Sequence, residues 1–188
     1  FNDSGDTHEA SVSYNHSDTS MKFVTAGATR MTVDGTGAVT KPMQPAFSVP
    51  LGSTVSNVTG DDTDYELNTT IWGTEIFDKN ADLATTGIFT APVTGLYQLT
   101  YHWEFYSITS VHTRGIISIK TSNRNYSMQI NPYLVMEGSG NTDIGMSFTC
   151  LADMDASDTA YTSIKVFGNS KVIDLNGAAS MWQGVLIA

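Results

Sequence analysis

The chain has 188 residues, room for one sizeable core or for one domain with a small attachment. Charged residues make up only 15% of it while Thr, Ser, Asn and Gly are abundant, which sets aside a helical protein and predicts an all-β one. A formal net charge of −10, from 19 acidic and 9 basic residues, repels phosphate backbones and anionic membranes, so nucleic acid and membrane are poor partners.

Residues 1–44 and 45–188 differ in texture. In the first part three short runs alternate apolar and polar side chains: Ser11–Asn15, Met21–Thr25 and Arg30–Val33. Turn clusters at His16–Thr19, Ala26–Thr29 and Asp34–Gly37 separate them. Val12 and Tyr14, Met21 and Phe23, and Met31 and Val33 then share one face of a β-meander. Two apolar residues per strand bury too little to offset the entropy of ordering the segment. The expectation is a fibre-shaft-like segment covered by two further copies of itself, a homotrimer.

Thr40–Pro45 carries two prolines and reads as a stiff joint. Beyond it come longer strands. In Leu96–Tyr106 the residues Tyr97, Leu99, Tyr101, Trp103 and Phe105 share one face, and Gln98, Thr100, His102 and Glu104 the other. Arg114–Thr121, Thr142–Ala152, Thr159–Gly168 and Ser180–Ala188 are further strands, with shorter ones at Ala46–Val49 and Gly87–Phe89. Turn clusters at Glu137–Asn141 and Gly168–Ser170 divide them. Many strands without helical periodicity predict a sandwich or barrel, here a jelly roll.

From Pro45 onward the chain resembles the globular head of the complement q subunit, within the tumour-necrosis-factor-like superfamily. Pro45–Val49 (PAFSV), Phe77–Lys79 (FDK), Thr86–Tyr101 (TGIFTAPVTGLYQLTY) and Ser180–Ile187 (SMWQGVLI) carry the likeness. Phe89, Gly95, Tyr97 and Tyr101 fall on the recurring steps of that signature. The resemblance implies a jelly-roll sandwich of about ten strands that packs as a compact trimer, binds ligands at exposed loops and lacks catalytic machinery; Phe89, Gly95, Tyr97, Tyr101, Trp103, Phe105 and Trp182 are its expected structural core.

Tyr14–Val39 is similar to a second pattern, YxHSxxSMxFxTxGxERMRIDSSGxV, found in phage tail fibres. Tyr14, His16, Ser17, Ser20, Met21, Phe23, Thr25, Gly27, Arg30, Met31, Val33, Asp34 and Gly37 fit it. This second resemblance implies a virion part, with a trimeric head closing a shaft. Phe1 in place of Met leads to the expectation of a fragment, joined to other tail or virion proteins through an N-terminal part not in this sequence.

Asp61, Asp62 and Asp64, with Glu66 beside them, form the densest acidic cluster. Oxygen ligands at such spacing can hold calcium, although a solvated acidic loop explains them better. No other cofactor is expected. His8, His16, His102 and His112 show no zinc spacing, and the single Cys150 reads as a small buried hydrophobe. For a receptor, thought of as a glycan, the candidates are Trp72 and the turn-rich stretch with Asn123, Arg124, Asn125 and Tyr126. No catalytic motif appears, and the expectation is that the chain is not an enzyme. Four readings follow. They are a fibre head that binds the host surface, a purely structural virion knob or decoration, a secreted complement-like recognition module, and a depolymerase.

Overall fold

The computed structural model describes residues 10–136 and 142–188. The turn expected at Glu137–Asn141, like His8, lies outside the described residues. The chain divides into two compact units, one ending at Gln44 and one running from Pro45 to Ala188.

The first unit is a single antiparallel sheet of β1 (Ala10–Asn15), β2 (Ser20–Thr25), β3 (Ala28–Val33) and β4 (Val39–Thr40), in that order. Side chains build its turns. Asn15 Oδ1 accepts the N–H of Ser17, and Asp18 accepts the hydroxyl of Ser20 at 2.7 Å and pairs with Lys22 at 2.9 Å. Asp34 Oδ1 accepts the hydroxyl and N–H of Thr36 and the N–H of Ala38, which holds its carboxyl below the usual carboxylate range. The turn read at Ala26–Thr29 is tighter than expected. Ala26 and Gly27 alone make it, both at positive φ (49° and 69°), and β3 begins at Ala28.

The second unit is a two-sheet sandwich. Its first sheet orders β6 (Val55–Thr59), β15 (Ile173–Leu175), β10 (Gly95–Tyr106), β16 (Met181–Leu186), β5 (Ala46–Pro50) and β8 (Phe77–Asp78), with β13 (Ile144–Met154) on the other side of β10. The second orders β12 (Asn125–Ile130), β11 (Arg114–Thr121), β14 (Thr159–Phe167) and β7 (Asp64–Glu66), with β9 (Phe89–Thr90) on β14. A short helix, α1 (Pro132–Met136), follows β12.

The core lies between the sheets. Tyr97, Leu99, Tyr101, Trp103 and Phe105 of β10 are fully buried, and Phe89 and Trp182 join them. At roughly 1.5–3 kcal/mol for each large apolar side chain, this row alone is a substantial part of the stabilisation. Two glycines are there for space. A Cβ on Gly184 would run into the Phe47 ring, and one on Gly87 into the indole of Trp72. Gly87 also holds φ at +80° and gives its carbonyl to Trp182 Nε1 at 3.1 Å. Gly95 is half-buried, and a Cβ there would press on the carbonyl of Ala188.

Strand register defines two ends of the sandwich. Ala46 pairs with Val185, Val185 with Gln98, and Gln98 with Leu151, so Pro45 lies at the same end as the turns before β10 and after β13. At the opposite end are the 107–113 loop, the 60–63 loop, the turn after β14 and α1.

Candidate functional surfaces

Alternation along β10 puts Gln98, Thr100 and His102 on the face of the first sheet away from the core. The register sets Gln183 and Val185 of β16, Ala46 and Ser48 of β5, Phe77 of β8, and Ser147, Thr149 and Leu151 of β13 beside them. None of these carries a formal charge, in a chain of net −10; the same alternation puts Glu104, hydrogen-bonded by Asn176, and Asp153, paired with Arg124, at the two ends of this uncharged patch. Leu151 is 54% exposed and Phe77 44%. A groove of about 260 Å³ lies there, lined by Ala46, Phe77, Gln98, Thr100, Gln183 and Val185 among others. Short polar links tie the strands together: Thr100 and Thr149 share a hydrogen bond of 2.9 Å, and Gln183 donates to Ser48 Oγ at 3.1 Å. Depletion of charge over a broad sheet face is a feature that protein interfaces share.

The first unit has a comparable face. Val12 pairs with Phe23 and Tyr14 with Met21, Met21 then pairs with Val33, Phe23 with Met31, and Val33 with Val39. Side chains opposite one another share a face, so these seven lie together. Val12 is 66% exposed and Val39 56%.

The outer face of the second sheet is charged. Lys120 Nζ lies 2.8 Å from both Asp64 Oδ2 and Glu66 Oε1, and Tyr161 donates its hydroxyl to Glu66 at 3.1 Å. The Lys120 hydrogen bond, with those from Tyr161 and Asn68, holds the Glu66 carboxyl below its ordinary range. Further along, Arg114 stacks on Phe167, its Cζ 3.8 Å from the ring centroid, and Lys165 Nζ approaches the same ring at 4.9 Å.

Of the residues nominated for a receptor, Asn123 and Arg124 occupy the turn between β11 and β12. The stretch is not the loop expected: Asn125 and Tyr126 already belong to β12, because Tyr126, Met128 and Ile130 alternate inward, opposite Ile119, Ile117 and Gly115. The structure also ties the turn down. Asn123 donates to Asp158 at 2.6 Å, Arg124 to Asp153 at 2.7 Å, and Tyr126 to Asp153 at 3.3 Å. All of this sits at the end where the chain enters the unit. Trp72 is half-buried, its indole edge-on to Tyr101 and its N–H donated to the Leu67 carbonyl at 3.0 Å. It is placed as packing, apart from the 123–126 turn.

The three aspartates do not converge. Asp61 turns to its own loop, accepting the Thr63 hydroxyl at 2.6 Å, and that hydrogen bond lowers its pKa; Asp64 is held by Lys120. Among the described residues no three His, Cys, Asp or Glu side chains gather in a metal-binding arrangement. Cys150 faces the core, and burial pushes its thiol up to about 11, away from thiolate chemistry. His112 is buried, with Nδ1 accepting the Thr109 N–H at 3.0 Å.

Both sheet faces were within reach of the alternation signal. The Arg114–Phe167–Lys165 group was not, since it joins strands some fifty residues apart and needs the register to appear.

No family model and no curated protein matches the chain. Solved structures do match in fold. The globular domain of the zebrafish complement 1qA protein aligns with a TM-score of 0.51 at 20% identity, over 77% of this chain and 98% of that one. The Eiger TNF of S. frugiperda gives 0.52 at 13% identity, over 77% and 93%. Murine APRIL gives 0.50 at 13%, over 77% and 99%. The shared part is about the share that Pro45–Ala188 makes of the chain. The second unit has the jelly-roll fold of these proteins.

Proposed function

We propose that the chain is the head and adjoining shaft segment of a trimeric phage tail fibre, and that its head contacts the host cell surface. The observation that carries this reading is the seven-residue apolar face of the first unit, which no other element of that unit covers among its described residues. Leaving such a face in water forfeits roughly 25 cal/mol for each Å² that could be buried. Copies of the same face are the simplest cover, because three meanders around one axis give each apolar row two partners.

The uncharged face of the head supports the same assembly. Three heads packed through the uncharged patch would bury Leu151, Val185 and Phe77 while Glu104 and Asp153 stay at its ends. The resemblance of Tyr14–Val39 to tail-fibre shafts supplies the virion setting, and the likeness to complement-type heads supplies threefold packing. The Asn123–Arg124 turn and Tyr126 beside it, tied to Asp153 and Asp158 at the chain-entry end, are better read as internal bracing. Contact with a cell then falls to the opposite end or to the charged outer sheet.

Two measurements test this. Light scattering on the full chain should return three times the 20.3 kDa chain mass; a single subunit with residues 10–44 protected from protease overturns the assembly. Labelled protein should adsorb to some members of a bacterial strain panel. A trimer that adsorbs to none leaves the purely structural knob as the function.

A further inference from the structure

We infer that Arg114 and Lys165 form a docking point for an anionic group, a carboxylate or a phosphate, carried on a bacterial surface polysaccharide. The inference rests on the receptor-contact reading above and names the chemistry of that contact. Arg114 is directly opposite Phe167 in the β11–β14 register, and Lys165 is two residues before Phe167 on the same face. Both cations are held against one ring, at 3.8 Å and 4.9 Å from its centroid.

Neither makes an ion pair among the described residues. The reason is visible on the neighbouring strand. Asp64 faces Lys165 in the β14–β7 register, yet its carboxylate and that of Glu66 are both taken by Lys120. Two adjacent cations that make no ion pair among the described residues are out of character in a chain with 19 acidic and 9 basic residues. Like charges side by side repel; the face of Phe167 offsets part of that repulsion, and an anion between them would remove the rest.

The stacking also does what a binding site needs. It fixes the guanidinium plane while, among the described residues, none of its N–H donors is spent on a protein acceptor, so the fork is held ready for a carboxylate or phosphate. Gln129 lies one strand over, opposite Ile116, and is exposed, a neutral partner for a sugar hydroxyl. The location fits access. The pair is on the outer face of the second sheet, which stays open when the uncharged face of the first is covered, and toward the end away from Pro45.

The test uses the full chain and three probes: an oligogalacturonate for the carboxylate, a polyglycerol-phosphate oligomer for the phosphate, and neutral dextran. At least one acidic probe should bind the wild type, more weakly as salt is raised, and dextran should not. The double variant Arg114→Gln/Lys165→Gln should lose about tenfold or more in affinity, while Lys79→Gln, an exposed lysine elsewhere, should change little. Phe167→Leu keeps both charges but frees the guanidinium, and should give a smaller loss at unchanged melting temperature. Failure of both acidic probes to bind, or equal binding by the double variant, overturns the inference. Adsorption to the strain panel separates the two ideas: full adsorption by the double variant sinks the docking point alone, and none by the wild type sinks the receptor-contact reading.

Discussion

The two units solve the same problem in opposite ways. The head hides its large side chains between its own two sheets; Trp103, Trp182 and Tyr101 are completely buried without help. The meander has the same strand alternation but only one layer, so its apolar row ends at the surface. Period-two patterning specifies which side is greasy. It does not specify what covers that side, and a single layer leaves the task to association.

The contrast can be broken by mutation. Trp103→Ala, in the head's core, should cost about 3–5 kcal/mol and be read as a large shift of the denaturation midpoint; Phe23→Ala, in the meander, should leave the head's own transition where it was. Leu151→Glu with Val185→Glu places two charges on the uncharged face. The expected result is a fall in mass to a single subunit with the head still folded, together with faster proteolysis of residues 10–44. A head that stays trimeric with both glutamates shows that the association surface is elsewhere.

Gly184→Ala should cost about 1–3 kcal/mol, because the methyl meets the Phe47 ring and the side chain of Leu99 from inside a packed sheet. A smaller pH effect sharpens the picture of the head. Burial holds the His112 imidazole below its ordinary range, outweighing the opposing contact of Nδ1 with the Thr109 carbonyl at 3.3 Å. The folded state therefore prefers the neutral ring. Its contribution is whole above the unfolded pKa, and falls as pH drops through that value toward the lowered folded one. The head's denaturation midpoint should decline between roughly pH 7 and 5, and His112→Gln should flatten the decline. Least of all, Arg124→Ala removes an exposed ion pair with Asp153 and should shift stability by less than about 1 kcal/mol.

Legibility followed packing. β10 could be read at once because five large residues recur on one side, and the paired faces of β1 to β3 for the same reason. β12 is easily overlooked: Tyr126, Met128 and Ile130 do alternate with Ser127 and Gln129, but the run is only six residues and opens beside Asn123, Arg124 and Asn125, which look like a loop. β6, β7, β8 and β15 are five residues or fewer, each held by a neighbour rather than by its own pattern. Trp72 follows a polar run and looks exposed until its N–H is seen on Leu67. The cation pair on Phe167 had no sequence signal, since only the β11–β14 pairing brings Arg114 to it.

The head begins and finishes at one pole. Leu186 donates its N–H to the Pro45 carbonyl at 2.9 Å, and Leu96 donates to the carbonyl of Ala188 at 2.7 Å. A unit whose first and last residues are stitched side by side can be re-cut: a few added residues should join Ala188 to Pro45, and new ends opened in the 168–172 turn at the far pole should leave the sandwich intact. By the same geometry a reporter joined after Ala188 would leave the far pole clear, which makes that junction a natural place for cargo when such heads are displayed.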